Sequence, residues 1–389
     1  MSLYYPTRQP TIAPNIMVRK QRRLPVAGDI LVRIGSRVEP DDIVARASIP
    51  GTPLMVDVAG PLGVKPKAGQ RLLARPVGST FAAGDVLASR RQGLAKRLTV
   101  KSPVAGTLTG YDAATGQATV TPASTNFELQ AYIDGVVTEH LPYRGVVIDT
   151  PAAVVRGIAG VGGERHGVLQ VAVADPAEEL MPDQISARYA YAIVLGGGTT
   201  SAETLRRAVE HNVRAMIVGS IPEAELRAFL GYTDGLRGWT LGRTGWDFPP
   251  PAAGTGAATA PPLTLIVVEG FGRVPMAGKA WELLAAHDGG EVAVDGTTRL
   301  REGLVRPEII LPLPRASGVA PFETTAPAIG VRSLVRLIAP PYLGRVGRVL
   351  SVSQGKQPVP SGINTNAAEV QLPDGATTWV PLADLEVLE

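Results

Sequence analysis

Two segments near the front of the chain read alike: "GSRVEPDDIVA" at residues 35–45 and "GSTFAAGDVLA" at residues 78–88. In each, a strand ends at glycine, an apolar side chain follows, and a tight acidic or Gly-Asp turn leads into apolar-x-Ala. That scheme reads as short strands joined by turns, with glycine permitting positive φ where the turn needs it. The 34 prolines and 44 glycines among 389 residues make about a fifth of the chain, against roughly an eighth on average. They are scattered, so they read as turns between short strands. From residue 24 to about 150 the chain therefore reads as all-β. "AYIDGVVTEHL" adds a hairpin signal at Asp134-Gly135.

The twin segments resemble the half-motif of biotinyl/lipoyl-type barrel-sandwich hybrid domains, in which two such halves intertwine about a pseudo-two-fold axis. "SPVAGTLTG" looks like the strand with which those domains begin or close. A loaded carrier of that kind needs a lysine on an exposed hairpin, within Ala-Met-Lys-Met or Asp-Lys-Ala, and neither string occurs. The stretch taken as corresponding is "IPGTPLMVDVAGPLGVKPKAG", whose Lys65 and Lys67 flank a proline; Lys101 precedes Ser102-Pro103. The resemblance thus implies the architecture without its cargo: no covalent biotin or lipoate, and no other cofactor. Unmodified domains of this type resemble docking elements of large assemblies.

From residue 151 to 314 the period changes. "YAIVLGG", "RAMIVGSI" and "PLTLIVVEGFG" are continuous apolar runs of buried-strand type, and "EVAVDG" follows as a fourth strand. Between them "SAETLRRAVEHN" places Leu205, Ala208 and Val209 on one helical face, and "PEAELRAFLGY" and "AGKAWELLAAHDGG" supply two more helices. Alternating strands and helices predict a parallel, Rossmann-like α/β sheet. The Pro/Ala/Gly-rich segment 247–262 reads as a surface insertion and 315–328 as a linker.

Within this domain "LGGGTTSAETL" follows a strand and opens a helix. Gly196, Gly197, Gly198, Thr199, Thr200 and Ser201 there are candidates for holding an anion on free backbone N–H groups. After the third strand Glu269, Arg273 and Lys279 occupy the equivalent place and complete that candidate ligand site. "GIAGVGGERHG" reads as strand–loop–strand, a tight connection lacking the helix of a phosphate cradle.

Residues 329–389 read as a small β barrel. "PPYLGRVGRVLSV" is similar to the KOW family of SH3-like barrels: Gly344, Gly347 and Val349 fit Gly-x-x-Gly-x-Val, and Asp374-Gly375 makes the later hairpin. That resemblance implies contact with nucleic acid or a polymerase, with Tyr342, Arg345, Arg348 and Lys356 as the contacting residues and Trp379 as a further stacking face. The insert "SQGKQPVPSGINTN" departs from the short family loop. A basic arm over residues 1–23, with Arg19, Lys20, Arg22 and Arg23, offers a second polyanion contact.

The absence of cysteine excludes disulfides, thiolate metal sites and cysteine nucleophiles, and the four histidines lie scattered. No Ser-His-Asp order or Gly-x-Ser-x-Gly elbow is present, so no catalytic residue and no metal ligand is assigned. Neither a signal peptide nor an apolar run long enough for a membrane span occurs, so a cytoplasmic protein is expected. The sequence expectation is a three-part multidomain α and β chain: a non-catalytic scaffold that docks protein partners or forms a homo-oligomer. The alternatives are nucleic-acid binding through the barrel and arm, or an anion- or nucleotide-binding α/β domain.

Overall fold

One long strand, Gly145–Arg156, organises the chain. Its alternating apolar side chains serve two cores, with Val146, Ile148, Ala152 and Val154 in one and Ala153 and Val155 in the other. The computed structural model describes residues 11–92, 96–230, 262–298, 305–314, 328–339 and 341–388. The start of the basic arm, nearly all of the insertion 247–262 and the linker through residue 327 lie outside them. The fold is mostly β, with 48% of the described residues in strands and 14% in helices. Its largest sheet has eleven strands and runs through Gly145–Arg156. The boundary expected at residues 150/151 thus falls inside a continuous strand, because both neighbouring cores need its side chains.

The twin segments are two copies of one unit, and one copy is nested inside the other. In the host copy Ile43–Ile49 pairs antiparallel with Thr125–Gln130, and the second copy occupies the chain between them. In the inserted copy Val86–Gln92 pairs with Lys96–Lys101 in the same register, with the irregularity at the same step. The correspondence extends to single hydrogen bonds. Asp42 accepts from the Glu39 N–H (2.8 Å), and Asp85 accepts from the Ala82 N–H (3.0 Å). Ala131 N–H donates to the Asp42 carbonyl (2.9 Å), as Ser102 N–H does to that of Asp85 (2.8 Å). Gly135↔Val38 repeats as Gly106↔Phe81, and the irregularity at Val137/Glu139 repeats at Thr119/Val120. Each copy keeps its own core: Val38, Val44 and Ile133 in one, Phe81, Leu87 and Leu108 in the other. The expected intertwining of residues 35–45 with 78–88 is therefore corrected, since each twin is closed by its own later strands.

Two local expectations change with it. Asp134-Gly135 is no hairpin centre, because Thr125–Gln130 pairs with Ile43–Ile49 while Gly135–Leu141 pairs with Gly145–Arg156. Gly135 is required by crowding instead: a Cβ there would lie 2.8 Å from the Asp149 carbonyl oxygen. The stretch holding Lys65 and Lys67 forms an edge strand, Leu54–Asp57, and the helical turns Ala59–Leu62 and Pro66–Gly69. The hairpin joining the halves of the inserted copy lies instead between Gln92 and Lys96, and its tip falls outside the described residues.

The basic arm is also corrected. Ile12–Arg23 is a strand paired along its length with Gly145–Arg156, and three of its four named charges are paired within the fold, while exposed Arg23 donates to Gln21. Arg19 binds Asp149 through Nε (3.0 Å) and Nη2 (2.9 Å). Lys20 meets Glu308, and Arg22 holds Glu164 at both oxygens. Arg22 and Lys20 lie over the ring of buried Tyr132. Burial, and after it the carboxylates of Glu308, Asp295 and Glu164, push that phenol well above its ordinary range.

In the central part Glu164–Val171, Ile193–Leu195, Ala215–Ile221 and Thr264–Phe271 run parallel in that order. The helices Ala202–Glu210 and Glu223–Leu230 lie between them in sequence. The sheet as a whole is mixed, because Glu291–Asp295, the expected fourth parallel strand, pairs antiparallel with Glu164–Val171. The helix Gly278–Ala285 leads into this reversal. Eight residues span about 12 Å, close to three strand spacings of about 4.8 Å. Ala277, its N-cap, bonds Glu269 on one outer parallel strand, and Gly289 just beyond its end bonds Leu169 on the other. The helix, packed on the sheet through Ala280 and Leu284, thus leads from one outer parallel strand to the other, and the next strand enters antiparallel beside Glu164–Val171.

The last segment is a five-stranded antiparallel sheet in the order Thr377–Pro381, Asn364–Gln371, Val346–Pro358, Leu334–Leu337, Leu385–Val387. It has its own core of Val335, Val349, Val370 and Leu385. The insert "SQGKQPVPSGINTN" is largely an extension of the hairpin, with Lys356 paired to Asn366 and Pro358 to Asn364.

Candidate functional site

The candidate ligand residues gather at the C-terminal ends of the parallel strands, where open α/β sheets bind ligands. Here the chain itself occupies much of that place. Gly196 N–H donates to the Ile217 carbonyl (2.8 Å), and Gly198 N–H to that of Glu178 (2.8 Å). A Cβ on Gly197 would stand 2.4 Å from the Glu178 oxygen and 2.6 Å from that of Asp175, so the glycine is demanded by the adjoining loop. Thr199–Thr200 pairs with Glu179–Leu180 as a short parallel ladder. Ser201 caps the helix Ala202–Glu210 through its hydroxyl, which accepts from the Thr204 N–H at 3.2 Å. The Thr199 hydroxyl is buried with no partner among the described residues.

Ser220, near the end of the strand Ala215–Ile221, ties two strand-end loops together. Its fully buried hydroxyl accepts from the Val274 N–H (2.8 Å) and lies 2.8 Å from the Gly198 carbonyl and 3.0 Å from that of Gly272. Sequence reasoning passed over it, since a serine in an apolar strand carries no motif. Its only signal was a polar residue at the end of "RAMIVGSI".

Glu269 does not face an open anion site. One carboxylate oxygen accepts from the Ala277 N–H at 2.9 Å and the other binds Arg336 of the terminal barrel. Arg336 also lies 3.6 Å from Glu386, which lies 3.4 Å from Arg306. All four side chains are at most 9% exposed, so the network alternates charge within the protein interior. Burial lowers the Arg336 pKa, and Glu386 acts against that. Arg306 further donates to the carbonyls of Gly157 (2.8 Å) and Arg156 (3.2 Å). Around this network Ile158, Ile338 and Leu343 pack as a small apolar cluster with Phe271. Gly270 and Gly344 approach so closely that a Cβ on either would come within 3.1 Å of the other's Cα. Barrel and central sheet are therefore joined by packed backbone and buried charge.

The remaining candidates disperse. Arg273 forms an exposed pair with Glu179, and Lys279 is exposed on the helix Gly278–Ala285. In the barrel Tyr342 packs against the core, Arg345 pairs with Asp374, Arg348 donates to the Arg332 carbonyl, and Lys356 is exposed. Among the described residues no cluster of His, Asp and Glu is fit to hold a metal ion, and no helix is long and apolar enough to cross a membrane. No protein-family model matches the chain, and no curated protein matches it in sequence.

Proposed function

We propose that the chain is a non-catalytic platform subunit whose β modules dock partners, foremost a second copy of itself. The observation that carries this reading is the occupation of the strand ends by the chain's own groups: Ser220 ties the loops and Glu269 is committed to Arg336. The modules also present surface suited to docking. Ile34 and Val77, equivalent residues of the two copies, are 60% and 45% exposed beside the edge strands Arg37–Val38 and Thr80–Phe81. Met55, on the edge strand Leu54–Asp57, is 74% exposed. Free edges carrying apolar side chains are apt for strand addition. The resemblances to an unloaded barrel-sandwich hybrid and to a KOW-like barrel agree with a docking role.

Thermal melts in millimolar nucleoside phosphates and simple anions test the closed-site half, and light scattering at micromolar concentration tests the self-docking half. The expected results are an unchanged Tm and a species larger than one chain. A Tm raised by several degrees, which mass action demands of a specific ligand, or a strictly monomeric protein contradicts the reading.

A further inference from the structure

The inserted copy carries charge that its fold does not require. Residues 54–121 hold nine lysines and arginines against three aspartates and no glutamate, a net charge of +6. The rest of the chain, with 29 basic and 32 acidic residues, is −3. Part of this excess lies on the two-stranded ribbon Val86–Gln92/Lys96–Lys101. Strand alternation turns Leu98 and Val100 to the core and leaves Arg97, Thr99 and Lys101 exposed. Directly across, Arg91 faces Arg97 and Ser89 faces Thr99. Like charges set opposite one another destabilise an antiparallel pair. Among the described residues no carboxylate pairs with Arg91, Arg97 or Lys101; Arg97 donates only to Ser89 Oγ, at 2.8 Å.

The host copy supplies an internal control. At the positions equivalent to Arg91 and Arg97 it has Ser48 and Asn126, a neutral pair. At those equivalent to Ser89 and Thr99 it has Arg46 and Glu128, which form an ion pair at 3.3 Å. At that of Lys101 it has Gln130. The same backbone with the same register is thus built once with a balanced face and once with an unopposed cationic one.

We infer that the ribbon of the inserted copy is a nucleic-acid backbone site, its Arg91, Arg97 and Lys101, with Lys96 near the tip, engaging phosphates. Residues two apart on a strand stand about 6.8 Å apart, two of the roughly 3.4 Å axial steps between phosphates of one strand. A two-stranded ribbon is also of a width that a DNA major groove admits. The hydroxyls of Ser89 and Thr99 between the cations add neutral donors to phosphate oxygens. This site is independent of the platform reading: its failure leaves that reading standing, and the reverse also holds.

The test is fluorescence anisotropy of the full chain with a labelled DNA duplex of arbitrary sequence and a single-stranded RNA of equal length, titrated across salt. Three to four phosphate contacts give a log–log salt slope near −3 on duplex, so affinity falls about sixty-fold from 50 to 200 mM salt. The variant R91S/R97N/K101Q takes the host copy's residues and is expected to fold with undiminished Tm. It should lose at least about tenfold in affinity at low salt, with its slope pulled toward zero. R345Q/R348Q in the terminal barrel should bind as the parent does. Stronger binding to the duplex than to the RNA, or the reverse, identifies the form engaged. No salt-sensitive binding to either polymer, undiminished binding by the triple variant, or loss confined to R345Q/R348Q overturns the assignment. So does binding only to phosphatidylcholine vesicles containing phosphatidylserine.

Discussion

Arg336→Met is expected to destabilise the protein by about 3–5 kcal/mol, because it leaves the buried carboxylates of Glu269 and Glu386 with one arginine between them. The loss should appear as a lower denaturation midpoint with the barrel released first, since Arg336 and Glu386 belong to the barrel and Glu269 to the central sheet. The companion variant R336M/E269Q separates charge from packing. Glutamine keeps an acceptor for the Ala277 N–H, and the Arg306–Glu386 pair remains balanced. It should recover at least half of the loss, as replacing both members of a buried pair costs far less than removing one. If R336M shifts stability by less than about 1 kcal/mol, the joint is not held in the way described.

The second large effect tests the nesting. Gly106→Val and Gly135→Val alter equivalent positions in two separate cores. A Cβ at Gly106 would stand 2.5 Å from the Thr121 carbonyl oxygen, and one at Gly135 2.6 Å from Ile148 Cγ2 and 2.8 Å from the Asp149 oxygen. Relief requires a backbone shift in each copy, so both variants should lose stability at the upper end of the ~1–3 kcal/mol known for overpacking. The chemical denaturation midpoints of the two should fall together. A neutral result at either position would show that the two units are not equivalent in packing.

The nesting was half legible in the sequence. The earlier strands of each copy share Gly-Ser, an aspartate turn and apolar-x-Ala, and those residues drew attention to themselves. The later strands do not: "AYIDGVV" and "SPVAGTL" share little beyond one glycine. Their equivalence lies in register and hydrogen bonding, which sequence does not print. The pairing of Ile43–Ile49 with Thr125–Gln130 also spans a whole inserted unit, a distance at which local patterning says nothing. Segments whose hydrophobic period is local fared better. "RAMIVGSI", "SAETLRRAVEHN" and "PLTLIVVEGFG" contain the strand Ala215–Ile221, the helix Ala202–Glu210 and the strand Thr264–Phe271.

The candidate site was legible in place and misread in state. Spacing alone brought the glycine loop and the Glu269 loop to one end of the parallel strands. Whether the polar groups of those loops were free depended on Arg336, far along the chain, and on Ser220, which has no motif. The basic run at Arg19–Arg23 misled for the same reason, since its acidic partners Asp149, Glu164 and Glu308 are remote in sequence. The cationic ribbon escaped notice because its lysines and arginines are interrupted by apolar residues and converge only when the two strands pair. A bulky residue at Gly197 is likewise a poor probe of ligand binding, as it would strain the loop against Glu178 whether or not anything binds there.

Amide hydrogen exchange at the strand ends reads the account's central claim most directly. The N–H groups of Gly196, Gly198, Gly219 and Ser220 are all held by chain carbonyls. They should exchange as slowly as the buried strand residues Met216 and Val218, and nucleoside phosphates should leave those rates unchanged. Fast exchange at these glycines that a nucleoside phosphate then slows would mean that the loops are an open ligand site, and the platform account would fail.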